Sequence, residues 1–181
     1  MFWLRKMPAG EPLGVAMAGV RSGDRLLILG ADAPKGVAQL ALKPGLNGRT
    51  CIVDDDARRV RRAAAAAESE GALVEHQTSA VTTVPYDSES FDVVVVNHLL
   101  PRLDAGPRAQ CLAEAARVVR AGGRCVVIQT GRRGGLAGLF GGGSAMSATE
   151  VEALLTGTGF RAVHTLAERD GLLFVEGARR S

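Results

Sequence analysis

Apolar residues fall along this chain in short unbroken runs, separated by stretches where apolar and polar positions interleave at helical spacing. "RLLILG" (25–30) is the first solid run and ends on glycine; such a run predicts a strand buried on both faces. "TCIVDDD" (50–56) is the second and stops abruptly in carboxylates. "FDVVVVNHLL" (91–100) is the strongest, since four successive valines belong in the middle of a covered sheet. "RCVVIQT" (124–130) is the fourth.

The interleaved stretches predict helices. "ARRVRRAAAAAESE" (57–70) is built of strong helix formers and stops at Gly71. In "RAQCLAEAARVVRAGG" (108–123), Leu112, Ala115, Ala116 and Val119 share one face, and Gly122-Gly123 are expected to end the helix. "SATEVEALLTGTG" (147–159) opens with Ser147 and Glu150 at capping-box spacing, followed by an apolar stripe of Val151, Leu154 and Leu155. "GFRAVHTL" and "GLLFVEG" follow with no helix between them and read as an antiparallel hairpin across "AERDG". A short helix is expected within 11–20.

Strands alternating with helices argue for an α/β fold: a doubly wound, mostly parallel sheet closed by an antiparallel C-terminal hairpin strand. The chain reads as one domain over 1–181, with an N-terminal extension and helix at 1–22. A Gly-rich loop at 131–146 follows the fourth strand, on the carboxyl edge where such sheets bind ligands.

Composition narrows the picture. The chain is 46% hydrophobic and 23% charged, as expected of a soluble globular domain. Aromatics are only 4%, so Ala, Val and Leu must build the core. The net charge of +3 is too small and too dispersed to imply nucleic acid. Cys51, Cys111 and Cys125 lack metal or redox spacing and read as buried thiols in a reducing compartment. The start shows no secretory h-region, and no run approaches the ~20 apolar residues of a membrane span. A cytoplasmic location is therefore expected.

Three longer segments carry a family likeness: "YDSESFDVVVVNHLLPRL" (86–103), "EAARVVRAGGRCVVI" (114–128) and "TEVEALLTGTGFRAV" (149–163). In this order the chain resembles class I S-adenosylmethionine-dependent methyltransferases of the small-molecule type. The resemblance implies a seven-stranded Rossmann-like sheet, S-adenosylmethionine as cofactor and direct in-line methyl transfer to a small molecule. It also implies cofactor contacts at Gly30 and Ala31 in the first turn, Asp54 on the ribose hydroxyls, Val81 on the adenine face and Asn97 at the methionine end. No metal is implied. The chain departs from the family pattern at Ile28, where an acid is usual. It departs again at Asp32 and Pro34, which stand at glycine places, and at Ala80, which stands where an adenine-binding Asp often lies.

Several residues keep two readings. Asp54 is either the ribose ligand or the first of three carboxylates starting a helix. Asp32 is either a helix N-cap before Pro34 or a contact to the amino acid end of the cofactor. His98 is a candidate catalytic base or a loop histidine bonded to a carbonyl. His76 and His164 read as structural. Arg132, Arg133, Leu136, Leu139 and Phe140 form either a solvated loop or a lid over an apolar, quinone-like acceptor, with peripheral membrane contact through 131–144 as a further use. The alternative to an enzyme is a silent methyltransferase-like binding or partner module. A nicotinamide dinucleotide fits poorly, because Asp32 disfavours pyrophosphate in the turn and Tyr86 is the sole tyrosine.

Overall fold

A computed structural model describes residues 12–131 and 145–180. In chain order the elements are α1 (Leu13–Ala18), β1 (Arg25–Leu29), α2 (Pro34–Ala41), β2 (Arg49–Asp54), α3 (Ala57–Ser69), β3 (Glu75–Thr78) and β4 (Phe91–Asn97). A 3-10 turn at Leu100–Arg102 follows, then α4 (Ala105–Val118), β5 (Val119–Thr130), α5 (Ala148–Gly157), β6 (Arg161–Arg169) and β7 (Leu172–Ala178). All seven strands form one sheet in the order β3-β2-β1-β4-β5-β7-β6. The first five are mutually parallel; β7 is antiparallel to both β5 and β6. The doubly wound sheet with its C-terminal hairpin is thus the architecture the apolar runs imply.

The solid runs are explained by burial on both faces. Leu27, Leu29, Cys51, Val53, Val94 and Val96 pack toward α4 and α5, with Leu112, Ala115, Val151 and Leu155. Leu26, Ile28, Ile52, Val93 and Val95 pack the other way, against Val15, Val37, Leu40 and Ala63 of α1, α2 and α3. Alanines let α2 and α3 pack close together: Ala38 and Ala41 of α2 meet Ala67 of α3. Burying each Val or Leu contributes about 1.5–3 kcal/mol. Ser147 and Glu150 complete the expected capping box at the start of α5. The hairpin closes at Asp170 and Gly171, both with positive φ.

Two expectations are corrected. Helix α4 ends at Val118, and Gly122-Gly123 lie inside β5. Val119 already pairs with Phe91, and the β4–β5 register shifts between Phe91 and Val93. A Cβ at Gly123 would lie 2.8 Å from the Asp92 carbonyl oxygen, so glycine serves this close strand approach rather than a helix stop. Asp32 does not cap α2; Ala33 is the N-cap residue, and no side chain caps there. The carboxylate of Asp32 is engaged elsewhere.

Candidate functional site

The strand order reverses between β1 and β4, and in open α/β sheets the crevice at that switch point, beyond the carboxyl ends of the strands, is where ligands bind. Two loops flank it: 30–33 after β1 and 98–103 after β4. Gly30 leaves β1 at φ 96°, and a Cβ there would stand 2.2 Å from the Asn97 carbonyl oxygen. Only glycine permits these two loops to approach so closely. The Asn97 side-chain amide then ties them together, donating to the carbonyls of Gly30 (3.3 Å) and Asp32 (2.8 Å). Ala33 and His98, one on each loop, both hold positive φ (55° and 50°), a conformation that costs a non-glycine residue of order 1 kcal/mol or more.

Asp54 ends β2 beside this crevice and is fully buried. Its Oδ2 accepts from the Ala31 N–H (2.8 Å) and from Arg102 Nη2 (3.0 Å). Its Oδ1 accepts from the Asp56 N–H (3.0 Å) and from Arg59 Nε (3.0 Å) and Nη2 (2.8 Å). Burial alone would push the carboxyl pKa up. The Arg59 guanidinium and the Ala31 and Asp56 N–H groups overcome it and hold Asp54 well below the usual carboxylate range. The neighbouring carboxylates differ in role: Asp56 caps α3 by accepting from the N–H groups of Arg58 and Arg59, while Asp55 pairs with Arg59 at 2.8 Å. The acidic triplet is divided in its tasks: Asp56 starts the helix, while Asp54 is buried at the end of β2 and tied to the β1 turn through the Ala31 N–H.

Arg102 completes the arrangement. One nitrogen, Nη2, meets Asp54; the other, Nη1, lies 2.9 Å from Asp32 Oδ2. The guanidinium thus joins the β1 loop, the end of β2 and the turn after β4. Next to it, His98 is held by its backbone N–H to the Ile128 carbonyl at 2.7 Å. Burial lowers the His98 pKa; the Asp32 charge opposes this and the Arg102 charge reinforces it.

Gly30, Ala31, Asp32, Asp54, Asn97 and His98 are brought together at the carboxyl ends of β1, β2 and β4. Val81 is near by chain connection, since the Ser79 N–H donates to the Asp54 carbonyl at 3.1 Å, but its side chain is buried among apolar residues of the α4 face. His76 and His164 stand apart on the exposed edge strands β3 and β6; His164 Nδ1 lies 2.8 Å from the Ala162 carbonyl oxygen. Cys51, Cys111 and Cys125 are buried and unbridged. Among the described residues, no cluster of His, Cys, Asp and Glu is placed to hold a metal, and no helix is long and apolar enough to cross a membrane. Arg132, Arg133, Leu136, Leu139 and Phe140 lie outside the described residues. Arg59 and Arg102 are the site residues that sequence reasoning passed over. For Arg59 a signal existed, because "DDDARR" sets it at i+3 and i+4 from Asp56 and Asp55. For Arg102 none did.

Among proteins of known structure, a SAM dependent methyltransferase from Aquifex aeolicus superposes with a TM-score of 0.76 at 20% identity, over 90% of this chain and 86% of that one. The YcgJ protein from Bacillus subtilis gives 0.72 at 15% identity, over 93% and 97%. The [4+2]-cyclase SpnF gives 0.73 at 16% identity, over 93% and 78%. At such identities the likeness is one of fold, and the cyclase illustrates that the fold alone does not fix the reaction. No curated protein matches the chain. The sequence pattern of the methyltransferase domain family, however, matches residues 32–127, more than half of the chain and spanning β2, β4 and most of β5. The chain belongs to the methyltransferase domain family.

Proposed function

We propose that this protein is an S-adenosylmethionine-dependent methyltransferase acting on a small molecule. The observation that carries the reading is Asp54: a fully buried carboxylate at the carboxyl end of β2, held by the Ala31 N–H at the switch-point crevice. A carboxylate so placed suits the two hydroxyls of a ribose, which a neutral residue would bind less well. The residues present fit the cofactor. Gly30 keeps the turn free of a side chain, Asn97 locks the turn to the β4 loop, and Asp54 supplies the acceptor once its arginine partners yield. The Val81 side chain is buried and only backs this turn, so recognition of the base passes to the main chain of 79–81, where Ala80 offers no carboxylate.

The bound cofactor supplies an electrophilic methyl group on a sulfonium. The protein's part is to orient the acceptor in line and to exclude water, which accounts for much of the rate in such transfers. His98, lowered in pKa and held at the crevice by its backbone, is suited to accept a proton from the acceptor in its neutral form. An apolar acceptor fits the composition of 136–140, "LAGLF".

Calorimetric titration with S-adenosylhomocysteine tests the reading. Micromolar binding is expected in the wild type, with Asp54→Asn weakening it by about tenfold or more. No binding at millimolar concentration would overturn it. Binding of S-adenosylhomocysteine with no methyl transferred from S-adenosylmethionine to any of a panel of small acceptors would instead favour the silent binding module.

A further inference from the structure

The Asp32–Arg102 pair spans the crevice from one flanking loop to the other, and neither residue is buried away from solvent: the side chains are 36% and 28% exposed. Asp32 stands where a glycine is usual, so its carboxylate has no obvious place beside a ligand carrying a carboxylate of its own. Arg102 removes the difficulty. An α-amino acid group bears an ammonium and a carboxylate on one carbon, a pair of charges complementary to the pair that Asp32 and Arg102 present to each other. Inserting such a zwitterion between them exchanges one ion pair for two and leaves the net charge of the crevice unchanged. The same movement withdraws Arg102 Nη2 from Asp54 Oδ2 and frees that oxygen for a ribose hydroxyl, while Ala31 continues to hold it.

We propose that Arg102 and Asp32 together recognise the amino acid end of the cofactor, Arg102 taking its carboxylate and Asp32 its ammonium. This rests on the cofactor reading given above. Arg102 meets both Asp32 and Asp54 in the structure; in this assignment each member of the Asp32–Arg102 pair takes the opposite charge of the cofactor's amino acid end. Asp32 and Arg102 are then specificity residues rather than an accident of a degenerate glycine turn. A proline at 34 is compatible with this. It starts α2 at the first helical position, and ligand contact passes to a side chain instead of a bare backbone.

The test compares S-adenosylmethionine with its decarboxylated form, which retains the amine, ribose and adenine, by calorimetry on the full chain. The wild type is expected to prefer the carboxylated ligand by about tenfold or more, the scale of one hydrogen bond to a charged group. In Arg102→Met that preference should fall to about one, while the decarboxylated ligand binds at least as well as before because Asp54 is uncovered. Arg102→Lys should restore part of the preference, and Asp32→Asn should weaken both ligands. Thermal melts of each variant confirm folding. An undiminished preference in Arg102→Met would overturn the assignment, as would equal gains for both ligands, which would make Arg102 only a cover over Asp54. Failure of the wild type to bind either ligand would overturn the cofactor reading, and this proposal with it.

Discussion

At the scale of single residues, the crevice depends on groups whose environment is unusual. Gly30 is the clearest: any side chain there meets the Asn97 carbonyl at 2.2 Å and an unfavourable φ of 96°. Gly30→Ala is expected to lower stability by about 3 kcal/mol, read as a shift of the denaturant midpoint. His98 offers a second measurement. Its folded pKa lies below its ordinary value, chiefly through burial, so the unfolded chain takes up a proton first as the pH falls. Stability is therefore present above about pH 6.5 and declines as the pH drops through that value. Replacing His98 by Asn, which tolerates the positive φ, should flatten the decline between about pH 7 and 6 in thermal melts. An unchanged slope would assign the effect to another group.

Elements are held in register by charges placed at strand ends. Asp92, at the start of β4, accepts from the Arg25 N–H at 2.7 Å and pairs with Arg25 Nε at 3.1 Å and with Arg120 of β5. One carboxylate so fastens three neighbouring strands at the amino edge, opposite the crevice. Asp92→Asn should cost about 2 kcal/mol, since it weakens the acceptor for a backbone donor while the exposed arginines partly rehydrate. It should leave ligand affinity unchanged, which calorimetry would check. Elements also differ in how plainly the sequence shows them. β1, β2 and β4 are solid apolar runs because both faces are covered, and helix α5 carries its own capping box. β3 is a four-residue edge strand with every residue exposed, so no apolar pattern marks it. Gly122-Gly123 misleads for a related reason: a double glycine reads as a helix stop locally, but the irregular β4–β5 pairing gives it a different task.

Across the whole molecule, acid stability follows from the same carboxylates. Asp54 and Asp92 both titrate well below the ordinary range, held there against burial by arginines and backbone N–H groups. Their contribution is complete above about pH 4 and lost as the pH falls further, because the unfolded chain protonates first. The double variant Asp54→Asn/Asp92→Asn should show a shallower loss between about pH 4 and 2 than the wild type. The chain's own pattern determined the alternation of strands and helices, the burial of the valine runs and the placing of Gly30, Asp54 and Asn97 at strand ends, because these follow from local hydrophobic periodicity and turn chemistry. Only the tertiary structure decided that β7 lies between β5 and β6, that Asp32 faces Arg102 instead of capping α2, and that Arg102 reaches Asp54 from 48 residues away. Those outcomes depend on which strand ends the parallel sheet brings side by side, and pairings between distant segments leave no periodic trace in either one.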